Sequence, residues 1–162
     1  MKNKRHILVV HTENEPGVLN RIASLFRRRR FNIESIAAGH SEKPHVTRIT
    51  IVMDGEKTNV EQAIKQMYKI VNVLKITELH DEDAIGRELA LIKIRANKGN
   101  RSDVNELIDM YSAKIVDLTL NTVTAELSAD SETIDKFIEL MKNFGVKEVV
   151  RTGLIAIQKT QK

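Results

Sequence analysis

Apolar side chains along the chain recur at two different spacings, and each change of spacing marks the start of a new element. Ile7-Leu8-Val9-Val10 is a short apolar run with β-branched residues, which predicts a strand. Glu13-Asn14-Glu15-Pro16-Gly17 breaks it. Val18, Leu19, Ile22, Ala23, Leu25 and Phe26 then recur three and four residues apart, predicting a helix with one buried face. Pro16 suits the first helical position, where its missing N–H costs nothing. A strand is predicted over 31–39, then a polar loop over 40–44. In the strand predicted over 46–53, Ile49, Ile51 and Met53 face one way and Arg48 and Thr50 the other. Asp54-Gly55 ends it. Thr58-Asn59-Val60-Glu61 reads as a capping box opening a second helix. Val60, Ala63, Ile64, Met67, Tyr68 and Val71 are its expected apolar face. A strand over 73–79 closes a β-α-β-β-α-β unit.

His80-Asp81-Glu82-Asp83-Ala84-Ile85-Gly86 is acidic and irregular and reads as a linker. The same order then repeats. A strand is predicted over 89–95. Ser102 is the expected cap of a helix carrying Val104, Leu107, Ile108 and Tyr111 on one face. A strand over 115–120 leads to a second strand in which Val123, Ala125 and Leu127 alternate with Thr124, Glu126 and Ser128. Ser131 begins a helix bearing Ile134, Phe137, Ile138 and Met141, and Gly145 is placed to end it. The last main strand is predicted over 146–150, and 154–157 is able to extend the sheet. The expected fold is α+β, with two tandem ferredoxin-like βαββαβ domains over 1–79 and 87–162 joined by 80–86. Each unit is near the lower limit for a self-sufficient core, and each sheet would keep one face bare. Dimerisation or docking on a partner is the natural remedy.

Composition narrows the chemistry. With 41% apolar and 30% charged residues, the 162-residue chain is ordinary globular material. It has no cysteine, which excludes disulfides, thiolate catalysis and zinc–thiolate sites. No apolar run is long enough to span a bilayer. The first twelve residues lack the pattern of a signal peptide, so the expected compartment is the cytoplasm. The net charge of +4 is uneven: residues 1–79 hold 14 basic and 8 acidic side chains, and residues 80–162 hold 12 and 14. The excess in the first half would suit an acidic partner or a nucleic acid, although a solvated basic face is the simpler explanation. His6, His11, His40, His45 and His80 are scattered, and no nucleophile–base pair or phosphate-cradling loop is visible. No dedicated metal site is expected.

The turn at Asn14-Glu15-Pro16-Gly17 is the one place that invites a ligand. A helix N-terminus presents unpaired N–H groups and partial positive charge, which suit a carboxylate. Gly17 permits close approach to the backbone. Asn14 offers both a donor and an acceptor, as an α-amino acid requires. A strand–helix turn that uses Pro and Gly for conformation alone would carry the same residues.

Taken with Ile22, Phe26 and Phe31-Asn32-Ile33-Glu34-Ser35, the run Asn14-Glu15-Pro16-Gly17-Val18-Leu19 resembles the ACT domain family. More narrowly, it resembles that domain's form in acetolactate synthase regulatory subunits, and the resemblance extends over the whole chain. It implies ACT domains (here 1–79) that pair side by side as a homodimer and bind a branched-chain amino acid, usually valine, between them. By position, Asn14 would orient the ligand and the backbone at Gly17, Val18 and Leu19 would receive its carboxylate. Asn32 would reach in from the neighbouring protomer, with Ile33 beside it. The ligand's apolar side chain would rest on Val18 and Leu19. The resemblance also implies a large catalytic partner that carries thiamine diphosphate, magnesium and FAD, with no cofactor or catalytic site in this chain. The partner would be activated by this subunit and inhibited by its ligand-bound form. One position departs from the family: Arg30 stands where Gly usually precedes the aromatic residue. If that backbone is left-handed, Arg30 costs about 1 kcal/mol. Two other readings share part of this evidence. One is an ACT-containing regulator of a different system. The other is an RNA-recognition module of the same topology, although strands such as Thr47-Arg48-Ile49-Thr50-Ile51 lack the aromatic residues on which bases stack.

Overall fold

The computed structural model describes residues 5–54 and 57–160, apart from the side chains of Lys57 and Thr58. The first unit contains β1 (Arg5–Glu13), α1 (Val18–Arg29), β2 (Ile33–His40), β3 (Val46–Asp54), α2 (Lys57–Met67) and β4 (Val73–Leu79). Its strands lie in the order β2-β3-β1-β4, and the β1–β3, β1–β4 and β2–β3 pairs are antiparallel. Alternation sorts the side chains. Leu8, Val10, Ile49, Ile51 and Met53 enter a core with Val18, Ile22 and Phe26 of α1 and Val60, Ala63 and Met67 of α2. Burying Phe26 alone contributes roughly 2–3 kcal/mol. The expected apolar face of α2 holds as far as Met67, where the helix ends. Tyr68 and Val71 lie beyond it and are 51% and 89% exposed, because the helical period no longer carries them inward. The helix has already begun at Lys57, so Thr58 is not its cap residue; the side-chain capping box lies outside the described residues.

Pro16 is not in the first helical turn. Gly17 is the cap residue of α1, with φ 84° and ψ −5°, and Val18 N–H donates to the Glu15 carbonyl at 3.4 Å. Those angles belong to the third position of a type II turn, with Pro16 at the second. At the other end Arg30 is left-handed, with φ 56° and ψ 33°. Phe31 N–H donates to the Phe26 carbonyl at 3.1 Å and Arg30 N–H to that of Arg27 at 3.2 Å. This is a Schellman stop, and the Phe26 and Phe31 rings meet edge-on, 5.7 Å apart, in its accompanying apolar contact.

The second unit contains most of β5 (Ala84–Arg95), then α3 (Arg101–Met110), β6 (Lys114–Leu118), β7 (Thr122–Ala129), α4 (Ser131–Lys142) and β8 (Val146–Arg151), with strand order β6-β7-β5-β8. Its core joins Ala90, Ile92, Ile94, Val123, Ala125 and Leu127 to Val104, Ile108, Ile134, Phe137 and Met141. Ser102 lies inside α3, whose cap position is Asn100. Ser131 is the first residue of α4, as expected. Asp130 caps that helix, accepting from Thr133 N–H at 2.8 Å. Gly145, with φ 96°, follows the helix end as expected. Buried Glu88 holds β5 to its surroundings, accepting from Arg151 Nη2 at 2.7 Å and from the Ser131 hydroxyl.

The chain divides between the units differently from the sequence pattern. Ala84, Ile85 and Gly86, expected in a linker, begin β5. The first unit comprises residues up to Ile85 together with Leu154 onward, and the second is Gly86–Gly153. The last strand, β9 (Ile155–Gln158), pairs with β5, and Lys159 N–H donates to the Asp83 carbonyl at 2.8 Å. Leu154 and Ala156 pack with Ala84 onto Ile7, Val9, Val52 and Leu79, which point away from the helices. The first sheet therefore carries a cover on the face expected to be bare. Four or five apolar positions at the end of a chain do not reveal which sheet they cover.

Candidate functional site

Asn14 leaves the end of β1 on an exposed turn. Its N–H donates to the His45 carbonyl at 2.8 Å, and its Oδ1 accepts from the Thr47 hydroxyl at 3.1 Å. The first bond fixes the backbone and the second holds the side chain from β3, leaving its amide NH2 without a partner among the described residues. The first turn of α1 has no side-chain cap and no acidic residue. Arg21 N–H makes the first intrahelical bond, to Gly17. The N–H groups of Leu19 and Asn20 have no acceptor among the described residues, so the positive end of the helix stays open. Gly17 presents bare backbone, with nothing within 4 Å of where a Cβ would stand. The Val18 side chain turns into the core, which leaves Leu19, 47% exposed, as the apolar surface beside the turn.

A polar chain borders this turn. Arg21 Nη1 donates to Asn72 Oδ1 at 2.6 Å, and Asn72 Nδ2 donates to Glu13 Oε2 at 2.7 Å. Thr47, Arg21 and Asn72 have no signal in the sequence, because only strand register and helix placement bring Thr47 to Asn14 and link Arg21 and Asn72 to Glu13.

Asn32 is exposed just before β2, and Ile33 is half-buried. Neither lies near Asn14 in the same chain. Ile33 pairs with Met53, which pairs with His6, whereas His40 pairs with Thr47, which pairs with Thr12. Asn14 and Asn32 are therefore at opposite ends of the sheet, roughly 25 Å apart at about 3.3 Å per residue. β2 is an edge strand, and Ile36 on it is 39% exposed.

Other features bear on the alternatives. The outer sheet face that an RNA-recognition module would offer is occupied in the first unit by Leu154 and Ala156. Among the described residues, no three His, Asp or Glu side chains group to hold a metal ion, and no helix is long and apolar enough to cross a membrane. An open cavity of about 370 Å³ lies at the far end of α1, lined by Leu25, Arg28, Arg29 and Gln66, away from Asn14.

Comparison with known proteins agrees with the two-unit architecture. Residues 8–75 match the family described as the AHAS small subunit-like ACT domain, and residues 87–160 match that of the small subunit of acetolactate synthase. The chain is 42% identical to an acetolactate synthase small subunit of Mycobacterium leprae, over 95% of this chain and 91% of that protein. It is 40% identical to a probable acetolactate synthase small subunit of Archaeoglobus fulgidus, over 98% and 99%. The crystal structure of the acetolactate synthase small subunit from Thermotoga maritima superposes with a TM-score of 0.92 at 34% identity, covering 98% of this chain and 99% of that one. Two family matches in chain order and relatives of equal length leave one assignment: the chain belongs to the family of acetolactate synthase small subunits.

Proposed function

We propose that this chain is a regulatory subunit that senses a branched-chain amino acid, with valine the first candidate, and sets the activity of an acetolactate synthase catalytic subunit in the cytoplasm. It has no catalytic role of its own. Thiamine diphosphate, magnesium and FAD are assigned to the catalytic partner. The ligand carboxylate sits at the open N-terminus of α1, on the backbone of Gly17, Val18 and Leu19. The Asn14 amide orients the ligand, and its apolar side chain rests on Leu19.

The observation that carries this reading is the separation of Asn14 and Asn32 by the length of the sheet. A two-fold axis across edge strand β2 reverses one copy relative to the other. Asn32 and Ile33 of one copy then come to the Asn14 turn of its partner. The exposed residues Leu19 and Ile36 supply the apolar contact such a homodimer needs. Two sites per dimer follow. A ligand shared by two copies favours one arrangement of them, and differential affinity for two arrangements is what allows it to bias a partner.

Thermal unfolding of the full chain against a panel of amino acids tests the proposal. A ligand at 100 times its dissociation constant adds about 2.7 kcal/mol to the native state. The expected result is a rise in midpoint with valine or another branched-chain amino acid, abolished in Asn14→Ala, with activation of the catalytic subunit retained. An equal rise in Asn14→Ala removes Asn14 from the site. No rise with any amino acid, alone or with the catalytic subunit present, ends the sensing role.

A further inference from the structure

The last strand is more than a cover, because one residue pair on β3 ties it to the ligand turn. Thr47 and Arg48 are neighbours, so their side chains leave opposite faces of the sheet. On the helix side, Thr47 Oγ1 donates to Asn14 Oδ1 at 3.1 Å. On the outer side, Arg48 Nη2 donates to the Ala156 carbonyl at 2.7 Å, and Arg48 Nη1 lies 3.4 Å from His11 Nε2. Leu154 N–H reaches Ser35 Oγ on β2 at 3.4 Å. The strap is thus held by its strand pairing with β5, at Leu154 by β2, at Ala156 by Arg48 and at Lys159 by Asp83. Its apolar contribution is Leu154 and Ala156 alone. A cover with two small anchors depends heavily on its polar bonds, and a charged donor to a carbonyl is the strongest kind available.

We propose that residues 154–159 form a strap whose seating is controlled by occupancy of the Asn14 turn, with Arg48 as the positioning residue that couples them. This rests on the ligand site described above. A ligand that fixes the Asn14 amide also fixes Thr47, and with it the backbone that aims Arg48 at Ala156. The strap then opens less often. Gly153, the last residue of the second unit, directly precedes it in the chain.

Hydrogen exchange of the full chain, with and without saturating valine, reads this directly. In the unaltered protein the amides of 154–159 should exchange roughly fivefold more slowly with valine, the lower end of ordinary coupling between sites. Arg48→Met keeps the aliphatic stem and loses the donors. It should bind valine up to fivefold more weakly, the same factor by reciprocity, while the strap exchanges fast with or without it. Thr47→Val serves if Arg48→Met does not fold: the strap stays seated, and its exchange no longer responds to valine. Valine binding with unchanged strap exchange overturns the coupling and leaves the ligand site standing. A strap that still responds in both variants removes the Thr47–Arg48 pair from the path. Failure of the unaltered protein to bind any amino acid overturns the ligand site, and the coupling falls with it.

Discussion

Arg30 occupies a backbone conformation that L-residues avoid, and its surroundings show why it is held there. The stop of α1 needs a left-handed residue, and the edge-on contact of Phe26 with Phe31 supplies the apolar seal that usually accompanies it. Arg30→Gly should therefore stabilise the protein by about 0.5–1 kcal/mol, the cost of the left-handed turn less the added freedom of the unfolded chain. Urea unfolding should show a higher midpoint with an unchanged slope. A lower midpoint would assign Arg30 an interaction of its own. Arg27, Arg28 and Arg29 place their cations beside the negative helix terminus, and the Arg29 side chain bonds only Gln66, at 3.3 Å, among the described residues. Asn14 and Gly17 were legible because Pro-Gly after a strand restricts the turn to few geometries. Thr47, which bonds Asn14, and Asn72, which bonds Glu13, were not, since nothing local distinguishes a residue that will meet this turn from one that will meet water.

Helix faces could be read more accurately than helix ends. Val60, Ala63 and Met67 in α2, and Ile134, Phe137 and Met141 in α4, are buried as their spacing predicts. The start of α3 was misplaced, because Ser102 is a good cap by type whereas Asn100 occupies the cap position, and the start of α4 at Ser131 was placed correctly with Asp130 as its cap. For α4 the choice has a visible cause: Asp130 accepts from both Thr133 N–H and Thr133 Oγ1, each at 2.8 Å, where a serine would satisfy one donor. Those bonds, the backbone one first, hold the Asp130 carboxyl below its ordinary pKa. A depressed carboxylate stabilises the fold above its unfolded pKa, near 3.8, and that contribution disappears as pH falls through the lower folded value. Asp130→Ala should cost about 1 kcal/mol at neutral pH. The difference from the unaltered protein should shrink in acid, as urea midpoints measured from pH 7 to pH 3 would show. A difference independent of pH would mean that the carboxylate charge has no part in the cap. Strand alternation was equally legible, and it gave both β-α-β-β-α-β units. What it could not give was the partner of the last strand, because a four-residue segment has no period that names a distant sheet.

At the scale of the molecule, the first unit is assembled from two separated stretches of chain, with Gly86–Gly153 running between them. Ending the chain at Gly153 would uncover Ile7, Val9 and Val52 and leave Arg48 without the Ala156 carbonyl. The shortened chain should unfold at lower urea concentration and bind a hydrophobic dye in its native state. The second unit, which keeps its own core, should retain its exchange protection. Loss of protection throughout the chain would instead make the two units a single cooperative block. The discontinuity also imposes an order on biosynthesis. A ribosome delivers β1 to β4 first, then the whole of the second unit, and only then residues 154–159. Throughout that interval the nascent first unit displays the apolar row Ile7, Val9 and Val52 to the cell. The finished surface exists only once translation has passed the strap, so a prematurely terminated product carries its own mark of incompleteness.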